Sequence, residues 1–498
     1  MRVLMVNPEF PETYWGFNHA LKIVGKRSAY PPLGLLTVSA LLPPPWEKRL
    51  IDLNASNELR VSDIEWADMV FVTGMLIQKH AIRRVVTECK THGKRVVVGG
   101  PYVSTSMEEV PEADHIFVGE AETTLPKFVS DLMAGRPQRF YQAGERPPLT
   151  ISPIPDFGLI NFGHYNTMPV QYSRGCPFDC EFCDIIEIYG RVPRTKGNEQ
   201  LLAELDTLLS LGWRGSVFIV DDNFIGNKKN VRSLVPRLAE WQKMNRYPFT
   251  FLTEASVNLA DDRPLLADMR SAGFHTVFLG IETPVEASLL ETRKTQNTKR
   301  SLLESVQTIQ GFGIEVMAGF IVGFDNDPPD IFERQISFIG ESAIPLAMVG
   351  TLTALPGTPL WKRLQREGRL RGESNGNNVG NGELNFVPVM DRERLMEGYR
   401  SIMRTIYRSS EYYNRVLKCL KRLPPPARPE PKFRSLGDNL AVFGRIVLRI
   451  GVIDRERAEF WRFAYRVLRE HPDRFTRAMS HAVKGYHFRQ QLDIQEEV

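Results

Sequence analysis

Apolar residues fall into short continuous runs separated by amphipathic stretches. In the first part of the chain the runs are RVLMVNP from Arg2, KRLIDLN from Lys48, MVFVTGML from Met69, KRVVVGGPY from Lys94 and HIFVGEAE from His115. Runs of this kind, alternating with helices, predict buried parallel strands in a doubly wound sheet. Ligands of such sheets sit beyond the carboxyl ends of the strands. Those ends are the loops Asn7 to Trp15, Thr73 to Gln78, Gly99 to Ser104 and Gly119 to Glu122, where glycines let a backbone approach a ligand closely.

Residues 143–168, with ERPPLTISPIPDFGLINFGHYNT at their centre, carry many prolines and no sustained period, which predicts a linker. Strands and helices then resume with VQYSRGC, SVFIVDDNF, FTFLTEASV, TVFLGIETP, EVMAGFIVGF and LAMVGTLTALPG. Six strand-helix repeats predict an open, partial barrel whose site faces the strand C-termini. The polar stretch RGESNGNNVGNGELNF reads as a flexible loop or lid, and helical patterns follow, broken by LPPPARPEPKF. The expected fold is therefore α/β: a Rossmann-like doubly wound domain (1–142), a linker (143–168), a partial TIM-like (βα)6 barrel (169–375) and a small helical C-terminal region (376–498).

A length of 498 residues, 42% of them hydrophobic, allows two or three buried cores. The N-terminus lacks an apolar stretch of signal length, and no run of about 18 apolar residues occurs, so a cytoplasmic protein is expected. The net charge of +4 conceals a basic tail with 21 Lys and Arg against 11 Asp and Glu from Arg400 onward. Such a tail fits a solvated helical face, or an anionic partner such as membrane headgroups or an acidic protein. LAVFGRIVLRIGVI from Leu440 and FWRFAYRVLRE from Phe460 mix large apolar residues with Arg, as helices packed on the barrel do and as interfacial helices do. Peripheral contact with the inner membrane face stays open on this ground. No DNA-reading motif occurs, and no nucleic acid partner is expected.

Three of the five cysteines crowd into RGCPFDCEFCD, where Cys176, Cys180 and Cys183 are spaced C-x3-C-x2-C. Three thiolates on one loop suit a [4Fe-4S] cluster with one iron left open. The alternative is a zinc site completed by His164. Cys89 and Cys419 are expected to be structural thiols. Acidic residues stand at three later strand ends: Asp221 and Asp222 in IVDDNF, Glu254 in TEAS and Glu282 in GIETP. Each is a ligand candidate, or else caps a helix or pairs with an Arg. Arg174 either hydrogen-bonds the cluster loop or is structural.

With C-x3-C-x2-C and the aromatic Phe182 before Cys183, the chain resembles the radical S-adenosylmethionine (SAM) superfamily. The resemblance implies that Cys176, Cys180 and Cys183 hold the cluster and are catalytic, and that an electron from the cluster cleaves SAM to a 5'-deoxyadenosyl radical. It places Phe182, Asp222, Glu254 and Glu282 among the residues near SAM. The first sheet, with PPLGLL (Pro31 to Leu36) and GGPYVS (Gly99 to Ser104), is similar to the cobalamin-binding domain attached to many of these enzymes. Asn7, Glu9, Gly99 and Gly100 are then the implied cobalamin contacts. The D-x-H-x-x-G motif of histidine-ligated cobalamin proteins is replaced by Asn7-Pro8-Glu9-Phe10-Pro11-Glu12, so no imidazole is offered there. A generic nucleotide-binding or purely structural Rossmann-like domain is the alternative.

VDDNFIGNK and ALPGTPLW extend the likeness to the cobalamin-binding radical SAM subgroup that includes the hopanoid C-2 methylase. Membership implies methyl transfer to an unactivated carbon of a hydrophobic substrate, such as a hopanoid-like lipid, with a flavodoxin or ferredoxin as electron donor. The competing readings are a non-methylating rearrangement or oxidation, and a cobalamin or iron-sulfur sensor. A methylthiotransferase needs a second three-cysteine site in the first domain, where only Cys89 is found.

Overall fold

The computed structural model describes residues 1–498 except 57, 380–383, 426–435 and 498. Its first sheet contains β1 (Arg2–Asn7), β2 (Glu47–Asp52), β3 (Met69–Thr73), β4 (Arg95–Gly99), β5 (His115–Val118) and β6 (Phe140–Gln142). The strand order is β2-β1-β3-β4-β5-β6, and every pair is parallel. Both faces are covered, as the apolar runs require. Leu4, Val6, Val70 and Val72 pack on Ile82, Val85 and Val86 of the helix Lys79–Thr91, while Val3, Met5 and Phe71 face Leu125 and Phe128 of the helix Ala121–Met133. The order of strand addition reverses between β1 and β3, with β2 on one side of β1 and β3 to β6 on the other. This is the switch point at which a doubly wound sheet opens a crevice.

The second sheet is built from β7 (Thr167–Val170), followed, after a short antiparallel pair β8 (Ser173–Arg174) and β9 (Arg194–Thr195), by β10 (Gly215–Ile219), β11 (Phe249–Ala255), β12 (Phe274–Glu282), β13 (Glu315–Val322) and β14 (Ala347–Thr351). Its order β14-β13-β12-β11-β10-β7 is parallel throughout, an open half-barrel of six strands. The period-two pattern decides which side chains face inward. On β11 Phe249, Phe251, Thr253 and Ala255 are buried, and Phe249 stacks on Trp241 of an outer helix at 5.5 Å. The alternate residues Thr250, Leu252 and Glu254 line a lumen that stays accessible.

The first domain closes the gap between β14 and β7. The Tyr14 hydroxyl donates to Val349 O of β14 at 2.6 Å, and Thr167 N of β7 donates to Ala29 O at 2.9 Å. The helix Asn18–Val24 lies between these anchors. Residues 143–168 also pack closely: Phe157 and Tyr165 belong to the barrel core, and the Tyr165 hydroxyl donates to Asp52 at 3.1 Å.

Part of the stretch read as a flexible loop or lid is held in place. Lys79 pairs with Glu373 at 3.2 Å, and Thr351 N donates to Asn378 O at 3.0 Å, so residues 373–379 are wedged between the first domain and β14. The centre of that stretch, 380–383, lies outside the described residues. C-terminal helices complete the fold, with Tyr407 stacked on Phe488 at 4.2 Å and Tyr413 on Phe463 at 4.4 Å. Among the described residues no helix is long and apolar enough to cross a membrane.

Candidate active site

The cysteine loop leaves the top of β7 and is pinned at its base by the β8–β9 pair. Gly175 takes φ +96°, and a Cβ there would meet Gly190 O at 2.8 Å and Val192 O at 2.9 Å, so the turn into Cys176 requires glycine. Cys176 N donates to Gly190 O at 3.1 Å and Cys183 N to Cys180 O at 3.2 Å. Two amides reach the thiols: Gln296 Nε2 lies 3.4 Å from Cys180 Sγ and Asn223 Nδ2 3.9 Å from Cys176 Sγ. Burial raises the thiols of Cys176 and Cys183 above the ordinary range. The neighbouring Glu181 is clamped by Arg363, which bonds both carboxylate oxygens at 2.8 and 3.1 Å and also reaches Asp325.

His164 precedes β7, at the end of the strand opposite the cysteines, so the zinc alternative finds no fourth ligand in it. Among the described residues no group of three or more His, Cys, Asp or Glu side chains is arranged to hold a single metal ion. Ligands of an iron-sulfur cluster bind separate irons and need no common point. Cys89 and Cys419 are buried in apolar surroundings; burial pushes the Cys89 thiol up to about 12.

The acidic residues gather above β10 to β12. Asp221 accepts from Tyr172 N at 2.7 Å and Ser173 N at 2.9 Å, and so supports the strand that leads into the loop. Asp222 is enclosed, and its Oδ2 has no hydrogen-bond partner. Burial and then Asp221 push its pKa up to about 7. Glu254 is raised to about 8 by burial first and Asp222 second. Burial and neighbouring carboxylates thus hold both acids well above the ordinary carboxylate range. Glu282, at φ +64°, accepts from Lys294 at 2.6 Å. Burial opposes the charge on Lys294, but Glu282 and the Cys180 and Cys183 thiolates outweigh it and raise the ammonium pKa. Lys294 also lies over the Phe182 ring at 5.8 Å, whose other neighbour is Phe324 at 6.1 Å.

In the first domain the β1 and β3 loops are tied together at the switch point. Gln78 Nε2 donates to Pro8 O at 2.7 Å, and Asn7 Nδ2 donates to Asp52 at 2.8 Å. Glu9 pairs with Arg84, and both line a cleft of about 370 Å³ with Leu53, Leu59, Val85 and Glu88. Gly100, at φ +96°, lies where a Cβ would meet Thr73 Oγ1 at 2.3 Å, and Gly99 O accepts from Thr73 at 3.2 Å.

Residues 26–129 match the family described as a B12 binding domain, residues 170–339 the radical SAM superfamily, and residues 358–497 a domain of unknown function. An uncharacterized methyltransferase of Synechocystis is 43% identical over 99% of this chain and 92% of its own. The hopanoid C-2 methylase of Rhodopseudomonas palustris is 36% identical over 94% of this chain and 89% of its own. The chain belongs to the cobalamin-dependent radical SAM methyltransferases. The fold is shared with the radical SAM methyltransferase TsrM from Kitasatospora setae (TM-score 0.60, 13% identity, 89% of this chain and 99% of that one). It is also shared with the cobalamin-dependent enzyme OxsB (TM-score 0.60, 16% identity, 100% and 80%).

The methyltransferase therefore uses a [4Fe-4S] cluster, SAM and cobalamin, and its residues fit these groups. SAM carries a sulfonium, an ammonium and ribose hydroxyls, the positive charge and donors that would suit Asp222 Oδ2, which has no hydrogen-bond partner among the described residues, and the nearby acid Glu254. At the top of β5, Gly119 has φ +83° and open space where a side chain would stand, which leaves room for a large planar cofactor.

Sequence reasoning left Arg174 between two roles; the structure moves it away from the cysteines. It pairs with Glu120 at 2.7 Å and Glu122 at 2.8 Å, and Arg194 pairs with Glu120 at 2.6 Å. The methyltransferase thereby bolts the GEAE turn after β5 to the base of the cysteine loop. Lys294, Gln296 and Arg363 were missed, since isolated polar residues on loops carry no period or spacing.

Proposed function

We propose that this methyltransferase transfers a methyl group to an unactivated carbon of a hydrophobic substrate held in the barrel lumen. The observation behind this reading is the lining of the lumen. Phe218, Leu252, Phe278 and Met317 point inward and stay partly accessible. Two aromatics of the first domain join them: Trp15 lies 6.1 Å from Phe278, and Tyr30 lies 6.0 Å from Phe218 with its hydroxyl in the field of Glu254. Large apolar side chains left accessible inside a fold are matched by an apolar ligand, and flat rings by a rigid, sheet-like one. A polycyclic lipid such as a hopanoid has that form.

In this reading Cys176, Cys180 and Cys183 each hold one iron, and the open iron faces the amino and carboxylate groups of SAM. Phe182 packs beside the cluster, Asp222 holds the SAM ammonium, and Glu254 holds a ribose hydroxyl. Glu282 keeps Lys294 directed at the cysteine loop, where an ammonium offsets the negative charge of cluster and carboxylate. Asn7, Glu9, Gly99 and Gly100 shape the cobalamin side. When bound, the cluster and cobalamin supply one-electron chemistry and a methyl carrier. The apolar lumen keeps water from a substrate radical and holds the reacting carbon between the two cofactors. A low-potential flavodoxin or ferredoxin is the proposed electron source.

The test is anaerobic reconstitution with iron, sulfide and cobalamin, then incubation with SAM and fractionated lipid extracts. A lipid gaining one methyl mass supports the reading. Methylation confined to the polar fraction sinks it.

A further inference from the structure

Among the described residues, the last region of the chain, matched by a domain of unknown function, leaves one apolar face exposed. The segment after the helix Leu436–Ile446 winds as a π-helix, Val447–Ile453, and packs against the helix Arg457–Glu470. Trp461 Nε1 donates to Gly451 O at 2.9 Å and its ring covers that glycine, which joins the two segments into one surface. The inner face of the second helix is buried through Phe460, Phe463, Ala464 and Val467. The outer face carries Trp461, Tyr465 and Leu468, spaced by four and three residues in a single stripe and 47, 66 and 54% exposed. The π-helix adds Leu448, Val452 and Ile453 at 53, 55 and 56%. Exposed Arg449, Arg457, Arg462 and Arg469 flank this apolar surface.

We infer that this surface is a docking face for an anionic lipid bilayer. Single exposed apolar residues need no explanation, but six large ones on one surface do. An aromatic and aliphatic centre flanked by Arg matches the headgroup boundary, where rings and aliphatic side chains enter the acyl region and guanidinium groups meet phosphate. An acidic protein would satisfy the arginines and leave the aliphatic centre without a match; a second copy would bring like charges together. The excess of 21 basic over 11 acidic residues from Arg400 onward gives the region the required sign. The helix Leu436–Ile446, which leads into this face, touches the first domain, where Arg445 Nε donates to Ile23 O at 2.7 Å in the helix Asn18–Val24. A bilayer held there adjoins the segment that carries Trp15 and Tyr30.

The test is flotation of the reconstituted full-length protein with vesicles of phosphatidylcholine alone or with about one-third phosphatidylglycerol. The protein is expected to float with the anionic vesicles, and high salt should weaken the association. The double variant Trp461→Ser, Leu468→Ser should partition about tenfold less, and Arg457→Gln, Arg469→Gln should lose the preference for anionic lipid. Unchanged cluster content and SAM cleavage in both variants show that folding is intact. Equal flotation of wild type and the Ser variant overturns the inference. So does no flotation at all, and so does a wild-type dimer that the Ser variant converts to a monomer, which assigns the face to a second copy. None of these outcomes bears on methyl transfer itself, which is read separately.

Discussion

Replacing Glu254 with Gln removes a buried acid whose charged neighbours are Asp222 and Asp221. Its folded-state pKa of about 8, against an ordinary 4.5, means that the folded chain binds this proton more tightly than the unfolded chain. The penalty of the carboxylate is therefore absent below the unfolded value and grows as pH rises toward about 8. Taken alone, the gap sets a ceiling of about 4–5 kcal/mol at roughly 1.4 kcal/mol per pK unit. Glu254 keeps part of its surface accessible, which screens the charge, so a gain of about 1–2 kcal/mol is expected for the amide. In a chain of 498 residues this corresponds to about 1–2 °C in melting temperature. Thermal melts of ligand-free protein should show the variant above wild type near pH 8 and level with it near pH 5. SAM affinity should fall about tenfold to a hundredfold, as for loss of a charge-assisted hydrogen bond. A variant less stable than wild type near pH 8, a gain of equal size at both pH values, or unchanged SAM binding would each refute the assignment.

Arg174→Ala should destabilise the fold by about 3 kcal/mol, since Glu122 is left charged and buried while Glu120 keeps Arg194; chemical denaturation measures it, and a loss near zero contradicts the interdomain bolt. Gly175→Ala forces a Cβ onto Gly190 O and Val192 O at positive φ, so iron content after reconstitution should drop well below wild type while the first domain still binds cobalamin. Trp15→Ala and Tyr30→Ala should raise the substrate KM about tenfold or more and leave uncoupled SAM cleavage near wild type; equal loss of both activities points instead to collapse of the lumen.

Much of this architecture was legible because buried parallel strands must be apolar on both faces. RVLMVN, MVFVT and RVVVG in the first sheet and the six barrel runs all carried that pattern. The β6 strand and the β8–β9 pair did not, because two or three residues have no period and exist only through their partners. The linker 143–168 was read from its prolines as a spacer, yet Phe157 and Tyr165 are core residues; proline excludes regular elements, not packing. The docked 373–379 segment shows the same limit, since Lys79 lies some 294 positions from Glu373. In the site, the cysteines announced themselves by spacing and the acids by their place at strand ends. Lys294 pairing with Glu282, and Glu120 and Glu122 with Arg174, depend on tertiary approach that no local pattern encodes.

If Cys176, Cys180 and Cys183 hold the cluster on which SAM cleavage depends, removing any one of these thiols must abolish that cleavage. The most direct measurement is mass spectrometry of anaerobic reactions with the reconstituted protein, cobalamin and a one-electron reductant. Both 5'-deoxyadenosine and S-adenosylhomocysteine should form, and both should vanish in Cys176→Ala, Cys180→Ala and Cys183→Ala. Formation of S-adenosylhomocysteine with no 5'-deoxyadenosine, or 5'-deoxyadenosine persisting in the alanine variants, contradicts the account.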